Sequence, residues 1–407
     1  MKKRALIAKY LQDIRASYWF LPTLLALTAV ICAQITLGLD HTLTLLPDSW
    51  RTTQVEGARA ILALIAQAMI GVAGVMFSIT IVAVSFASGK FGPRLIGNFM
   101  RDRGNQISLG ILIATFVYSL LILRAVQGQL GTDASTTFVP HLSLLVALCL
   151  TAISVMSMIF YVHHIPEIIN VSNISASLGK RLKTAALKTV IAQGREGGTH
   201  PTPAREADHS LHLPSSGYIQ TWNTTRLREL AKDNDLILHV EQIAGDFISP
   251  ATPVLRVWSG SALSEDTEKA LQDCFALGPT PTEAQNPLFL VDQLVEMTAR
   301  AMSPGVNDPF TAINCINWLY VTLTALATEA PKPDTPPQPR VKYQHLTFER
   351  ILTASMGKIE PYVRGDALVA PHLDSILTRL HRETADADLR AEVKTLQDTI
   401  ARETGAG

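Results

Sequence analysis

Apolar side chains follow two regimes along this chain. Up to about residue 165 they gather into four long runs; beyond, they recur singly at helix or strand spacing. The longest run, Ala60 to Gly89, is thirty residues without one charged side chain. At ~1.5 Å rise per residue it makes roughly 45 Å of helix, more than the ~30 Å hydrocarbon core of a bilayer. Such a run commits the chain to a membrane. Within it Gln67, Gly71, Gly74, Ser78, Ser85 and Ser88 recur at spacings of three, four and seven, so they share one helical face. Lipid does not select for that stripe; a neighbouring helix or a watery path does.

Four spans are predicted: about 18–39 (Tyr18–Leu39), 60–88, 107–123 and 142–162. The first follows Lys2, Lys3, Arg4, Lys9 and Arg15, yet no small-residue cleavage site succeeds it, so it reads as an uncleaved helix. Basic residues set the orientation. Lys90, Arg94, Arg101 and Arg103 follow the second span, and Lys180, Arg181, Lys183 and Lys188 follow the fourth. The remaining two loops hold only Arg51, Arg59 and Arg124. With both termini inside, every loop obeys the positive-inside rule. The expected location is the bacterial inner (plasma) membrane, multi-pass, with the C-terminal half cytoplasmic.

That half changes period. A membrane domain over 1–165 is expected to lead through a juxtamembrane helix at 166–193 into a flexible Gly/Pro/Ser/Thr/His linker at 194–216. A small β-rich module at 217–260 follows. It contains the strand candidate Gly217–Gln220, a helix capped by Asn223 or Thr224, and two strands bracketing Gly245-Asp246 and Pro253. That pair resembles a hairpin of lipoyl-like domains, with no lysine at the tip to carry a prosthetic group. Residues 261–407 read as helical. Ser264 is an N-cap with a stop at Gly278-Pro279, helices run from Leu288 to Met302 and from Phe310 to about Thr328, and a Pro-rich loop occupies 331–339. Leu389, Val393, Leu396 and Ile400 repeat as 4-3-4, the seam of a short coiled coil or bundle helix. The predicted fold class is an α-helical integral membrane protein: four transmembrane helices plus a cytoplasmic, mostly helical α+β domain.

Composition adds little. The hydrophobic fraction is 47% and the net charge is zero, with the charges unevenly placed. Cys32, Cys149, Cys274 and Cys315 are widely spaced and form neither a disulfide framework nor a metal motif.

Candidate chemistry is sparse. The 67–88 stripe reads either as a helix-packing face, with Gly74 and Ser78 a small-xxx-small pair, or as a pore lining. No span carries a carboxylate, lysine or arginine at its centre, which disfavours a proton-coupled transporter and leaves a passive path open. Lys90, Arg94, Arg101 and Arg103 form a basic collar that anchors lipid headgroups or biases a pore toward anions. His163 and Glu167 stand four apart where the fourth span ends, with Pro166 expected to interrupt the helix; two residues are too few for zinc. In Ser303-Pro304-Gly305-Val306-Asn307-Asp308-Pro309, Asp308 reads as an N-cap, Pro309 as the first helical residue and Gly305 as the turn former. The alternative has Arg300, Asn307 and Asp308 converging on a ligand or a neighbouring subunit. No phosphate loop, HExxH or GxSxG occurs, so no catalytic residue, metal or cofactor is expected and an enzyme is the least supported class.

Several segments resemble the bacterial predicted-membrane-protein family called domain of unknown function 2254. They are Ser17-Tyr-Trp-Phe-Leu-Pro22, Ser85-Phe-Ala-Ser-Gly-Lys-Phe-Gly-Pro-Arg-Leu95, Asn98-Phe-Met-Arg-Asp-Arg103, Gly217-Tyr-Ile-Gln220 and Gly245-Asp-Phe247. The most specific is Ala301-Met-Ser-Pro-Gly-Val-Asn-Asp-Pro-Phe-Thr-Ala312. Where the family tends to carry Arg-Thr and then Gln-Asp, Pro281-Thr282 and Gln285-Asn286 stand here. The resemblance implies an integral membrane protein and supplies no activity. From the residues, the leading expectation is a homo-oligomeric channel or pore lined by the second span. The alternative is a membrane-anchored sensor or scaffold whose cytoplasmic domain binds an unidentified ligand or protein. Membrane lipid is the expected partner, and nucleic acid is not.

Overall fold

The computed structural model describes residues 17–42, 53–92, 99, 102–126, 138–195, 203–260, 262–329 and 340–405. The N-terminal basic flank, Arg51, Arg94, Arg101, stretch 196–202 and loop 331–339 lie outside them, as does the Lys90 side chain. The chain divides into two compact units, Met1–Asn173 and Ile174–Gly407.

Unit 1 is built from α1 (Phe20–Thr42), α2 (Val55–Phe91), α3 (Arg103–Ala125) and α4 (His141–Ile169). The second, third and fourth predicted spans fall inside α2, α3 and α4, while the first overlaps α1, which starts at Phe20 rather than Tyr18. α3 is the central one, packed against α1, α2 and α4. Its glycine at 110 explains the closest approach: an added Cβ would stand 2.6 Å from Leu25 Cδ1 and 3.1 Å from the Pro22 backbone of α1. Asp102 caps α3 by accepting the Asn105 N–H at 2.8 Å. α4 does not stop at Pro166 as expected. A proline removes one donor and one helical bond, and α4 continues past it to Ile169, where Asn170 takes over and accepts the Ser172 N–H that opens the next helix.

Unit 2 begins within α5 (Val171–Arg195). Then follow β1 (His209–His212), β2 (Gly217–Trp222), α6 (Thr224–Asp233), β3 (Ile237–Val240), β4 (Phe247–Ile248), β5 (Pro253–Trp258), α7 (Glu265–Gln272) and β6 (Phe275–Gly278). After these come α8 (Leu288–Ala301), α9 (Pro309–Glu329), β7 (Val341–Tyr343), α10 (Phe348–Leu352), a π turn at Thr353–Gly357, α11 (Lys358–Val363), α12 (Val369–Glu383) and α13 (Ala387–Gly405). One sheet has the order β1-β5-β3-β7 and the other β4-β2-β6. The expected hairpin is present: β3 and β5 pair antiparallel with Leu238 opposite Val257. Their inward side chains join Leu211, Ile219, Leu227 and Val341 in one core. Asn223 caps α6 and Ser264 caps α7 through the expected side-chain bonds.

Three boundaries differ from the sequence reading. β1 lies inside the stretch read as linker 194–216, because Leu211 is buried against β5 although its neighbours are polar. The β module does not close at 260. β6 pairs with β2, and β7 pairs parallel with β3, so strands from the region read as helical complete both sheets. The 389–400 seam is used inside the unit: Val393 is fully buried, and α13 packs on α10 and α12.

Among the described residues, five helices are long and apolar enough to cross a membrane: α1, α2, α3, α4 and α9. The last was not expected among them. It sits amid α8, α10 and α12, with Cys315, Ile316, Leu319 and Leu323 fully buried.

Candidate functional site

The stripe on α2 does not face the other helices of its own chain. The face that packs carries Ala58, Leu62, Ile65, Met69, Ala73, Met76, Thr80, Ala83 and Ala87. Gln67, Gly71, Gly74, Ser78 and Ser85 are exposed, and Ser88 is half-buried. At 100° per residue the two sets lie about 160° apart around the helix. Nothing stands within 4 Å of where a Cβ would sit on Gly71 or Gly74. Among the described residues, then, these glycines have no neighbour in their own bundle, whereas Gly110 does.

Large side chains flank the stripe. Leu64, Val75, Val82 and Phe86 stand on one side, and Ile70, Phe77 and Ile81 on the other, all exposed. The small residues are thus the floor of a shallow groove along the outward face of α2. The Ser78 hydroxyl donates to Gly74 O at 3.0 Å, which satisfies its donor within the helix.

Polar side chains that the sequence reading passed over hold the bundle together. Asp40, in the last turn of α1, accepts from Leu142 N and Ser143 N at 2.9 Å and from Ser143 Oγ at 2.7 Å. A carboxylate of one helix thereby caps another, where free N–H groups and the helix dipole both favour negative charge. Below it Thr36 and Tyr118 pair at 2.9 Å, and the tyrosine hydroxyl also reaches Ser143 O. Thr115 pairs with Ser154 at 2.8 Å and Thr80 with Tyr161 at 2.8 Å. At the opposite end His164 meets Asp102 at 2.8 Å, over Gly104, whose missing Cβ leaves room for the ring. These bonds tie α1, α2, α3 and α4 to one another at several depths. The spacing of Thr and Tyr along single helices gave no cue to them, because each pair joins residues 39 to 82 apart in the chain. The Asn105 amide and the Ser119 hydroxyl are buried with no hydrogen-bond partner among the described residues.

Of the basic collar, Arg103 is exposed at the start of α3, and Lys90 lies in the last turns of α2. His163 and Glu167 approach to 3.4 Å as an exposed i,i+4 pair. Among the described residues no three His, Cys, Asp or Glu side chains gather into a metal-binding group.

The 303–309 motif is a capped turn. Asp308 accepts from Thr311 N at 3.1 Å and from the Thr311 hydroxyl at 2.6 Å, while its own N–H donates to Ala301 O. The Ser303 hydroxyl donates to Arg300 O at 2.6 Å. Asn307, not Gly305, takes the left-handed conformation, with φ of 46°. Asparagine tolerates that region better than most residues, which accounts for its place there. Arg300 instead turns back to Glu296 on its own helix, at 3.3 Å. Gln285 and Asn286 are structural as well. Gln285 has φ of 57° and its amide bonds both Trp222 N and Trp222 O, while the buried Asn286 lies beneath Gly245.

The family model described as a predicted membrane protein, DUF2254, matches residues 15–379. The chain belongs to this family. Relatives include an uncharacterized protein of Mycobacterium bovis, 28% identical over 99% of this chain and 78% of its own length. An uncharacterized protein of Mycobacterium tuberculosis strain H37Rv matches to the same extent. No solved structure matches. Membership with several long apolar helices makes this DUF2254 protein a multi-pass membrane protein.

Proposed function

We propose that the protein forms a homo-oligomeric membrane pore in which α2 lines the path. The uncovered groove on α2 carries this reading. A face of Gln, Gly and Ser flanked by large apolar ridges is poorly suited to lipid and well suited to a second helix or to water. In a ring of copies the ridges pack against neighbouring helices and the small residues turn to the axis. A path through one protomer is disfavoured, since Tyr118, Tyr161 and their partners fill the interior of the bundle. In this reading α1–α4 span the membrane. α9, enclosed by other helices of unit 2, does not. The positive-inside rule then puts both termini and unit 2 in the cytoplasm, Gln67 nearer the outside and Ser88 at the inner exit.

Reconstituted in liposomes, the protein should pass small ions, and single cysteines at 67, 71, 74, 78 and 85 should react with a water-soluble thiol reagent. No flux together with no aqueous reactivity at these positions would sink the pore. Assembly without flux would leave the groove a packing surface and favour the sensor or scaffold.

A further inference from the structure

One end of unit 2 gathers most of its exposed apolar side chains. Among the described residues of unit 2, six large apolar side chains are exposed: Phe247, Val306, Phe310, Val321, Tyr362 and Leu368. Phe310 is 73% exposed, Leu368 55%, Tyr362 54% and Val306 44%. Val306 lies in the turn from α8 into α9 and Phe310 in the first turn of α9, while Tyr362 lies in the last turn of α11 and Leu368 in the connection from α11 into α12.

Helix direction puts those connections at the same end. Asn317 of α9 meets His372 of α12 at 2.8 Å, and Tyr320 further along meets Glu383. The two helices therefore run the same way, and their N-termini coincide. Side-chain caps pin both connections. Asp308 caps α9, and Asp366 caps α12 by accepting from Leu368 N at 2.9 Å and Val369 N at 2.8 Å. Each contains one left-handed residue, Asn307 or Gly365. Well-ordered caps thus hold apolar side chains out in water, an arrangement that normally marks a contact surface.

α5 identifies what that surface meets. Gly179 of α5 lies against Trp318 of α9 so closely that a Cβ there would be 2.6 Å from Trp318 Cβ. From this contact Lys183 reaches Glu329 at 2.8 Å. Antiparallel helices would separate those two residues by about 22 Å along the axis, so α5 runs parallel to α9. The N-terminus of α5 therefore lies at the Phe310 end. That N-terminus follows α4, one of the long apolar helices, with only Asn170 between. The chain enters unit 2 from the membrane at the end where Phe310, Leu368, Tyr362 and Val306 project.

We propose that this end of unit 2 is a lipid-contact surface seated in the headgroup interface, with Phe310 and Leu368 as its anchors. Aromatic and aliphatic tips partition into that layer, and tyrosine suits it because its ring is apolar and its hydroxyl stays wet. The 303–309 turn then has a role: it fixes the aim of Phe310. The inference rests on α4 as a membrane helix and is independent of the pore.

Photo-crosslinking tests it with the full chain in phosphatidylcholine–phosphatidylglycerol vesicles. A benzophenone amino acid replaces Phe310, Leu368, Val306 or Tyr362 singly, and Phe247 as the reference on the sheet. After irradiation, mass spectrometry should show lipid adducts several-fold above the Phe247 level at the first two positions at least. Adducts no higher than at Phe247 overturn the proposal, whether the probe captures a second copy of the chain or nothing. Four positions on two separate segments, 306–310 and 362–368, keep the test decisive if one variant fails to fold.

Discussion

Two kinds of glycine separate once their surroundings are known. Gly110 touches the Pro22 backbone, so Gly110→Ala forces α1 away and should lower the stability of unit 1 by roughly 1–3 kcal/mol. Gly74→Ala meets open space, so thermal unfolding of the protomer in detergent should change little while ion flux through the assembled path falls. Unequal responses of this kind would be read by melting and by liposome flux. The Asp308 cap is equally specific. Asp308→Ala should cost about 1 kcal/mol, whereas Asn307→Gly should be tolerated because φ is already positive. Burial pushes the Cys274 thiol from 9.0 up to about 11. The folded state therefore keeps its proton where the unfolded state loses it, and stability falls as pH rises from about 9 to 11. Alkylation in the native protein should accordingly be slow below pH 9. Capping residues were legible from sequence because their chemistry is local. The left-handed Asn307 was not: Gly305 is the better turn former by type, and only the backbone path from Arg300 to Asp308 decides between them.

At the scale of elements, the four apolar runs and the capped helices could be read directly, since burial in lipid demands length and uniform apolarity. The strands β1, β6 and β7 could not. Each is three or four residues long and depends on partners far away in the chain, so its apolar pattern is too short to declare itself. The interhelical clamp at Asp40 was hidden for the same reason, because its donors lie just over one hundred residues further on. Asp40→Ala leaves the α4 terminus without its acceptor and should destabilise unit 1 by roughly 1–3 kcal/mol. Asp40→Asn, which can still accept, should lose less; chemical denaturation in micelles would rank the two. The stripe on α2 was visible as a periodicity, yet its direction was not. Periodicity says which residues share a face, and only packing says that this face points away from α3.

For the whole molecule, the described residues of unit 1 supply a helix bundle with an unfilled groove on α2, and those of unit 2 supply a sheet-and-helix body with an apolar end. The central claim concerns the groove: α2 of one copy meets α2 of another. Disulfide or bis-maleimide cross-linking in native membranes tests it, with single cysteines placed from 62 to 88 in a background lacking the four natural ones. The account predicts chain dimers peaking at 67, 71, 74, 78 and 85, with minima at 62, 69, 73 and 76. Cross-linking absent throughout, or maximal at the inward positions, would contradict it.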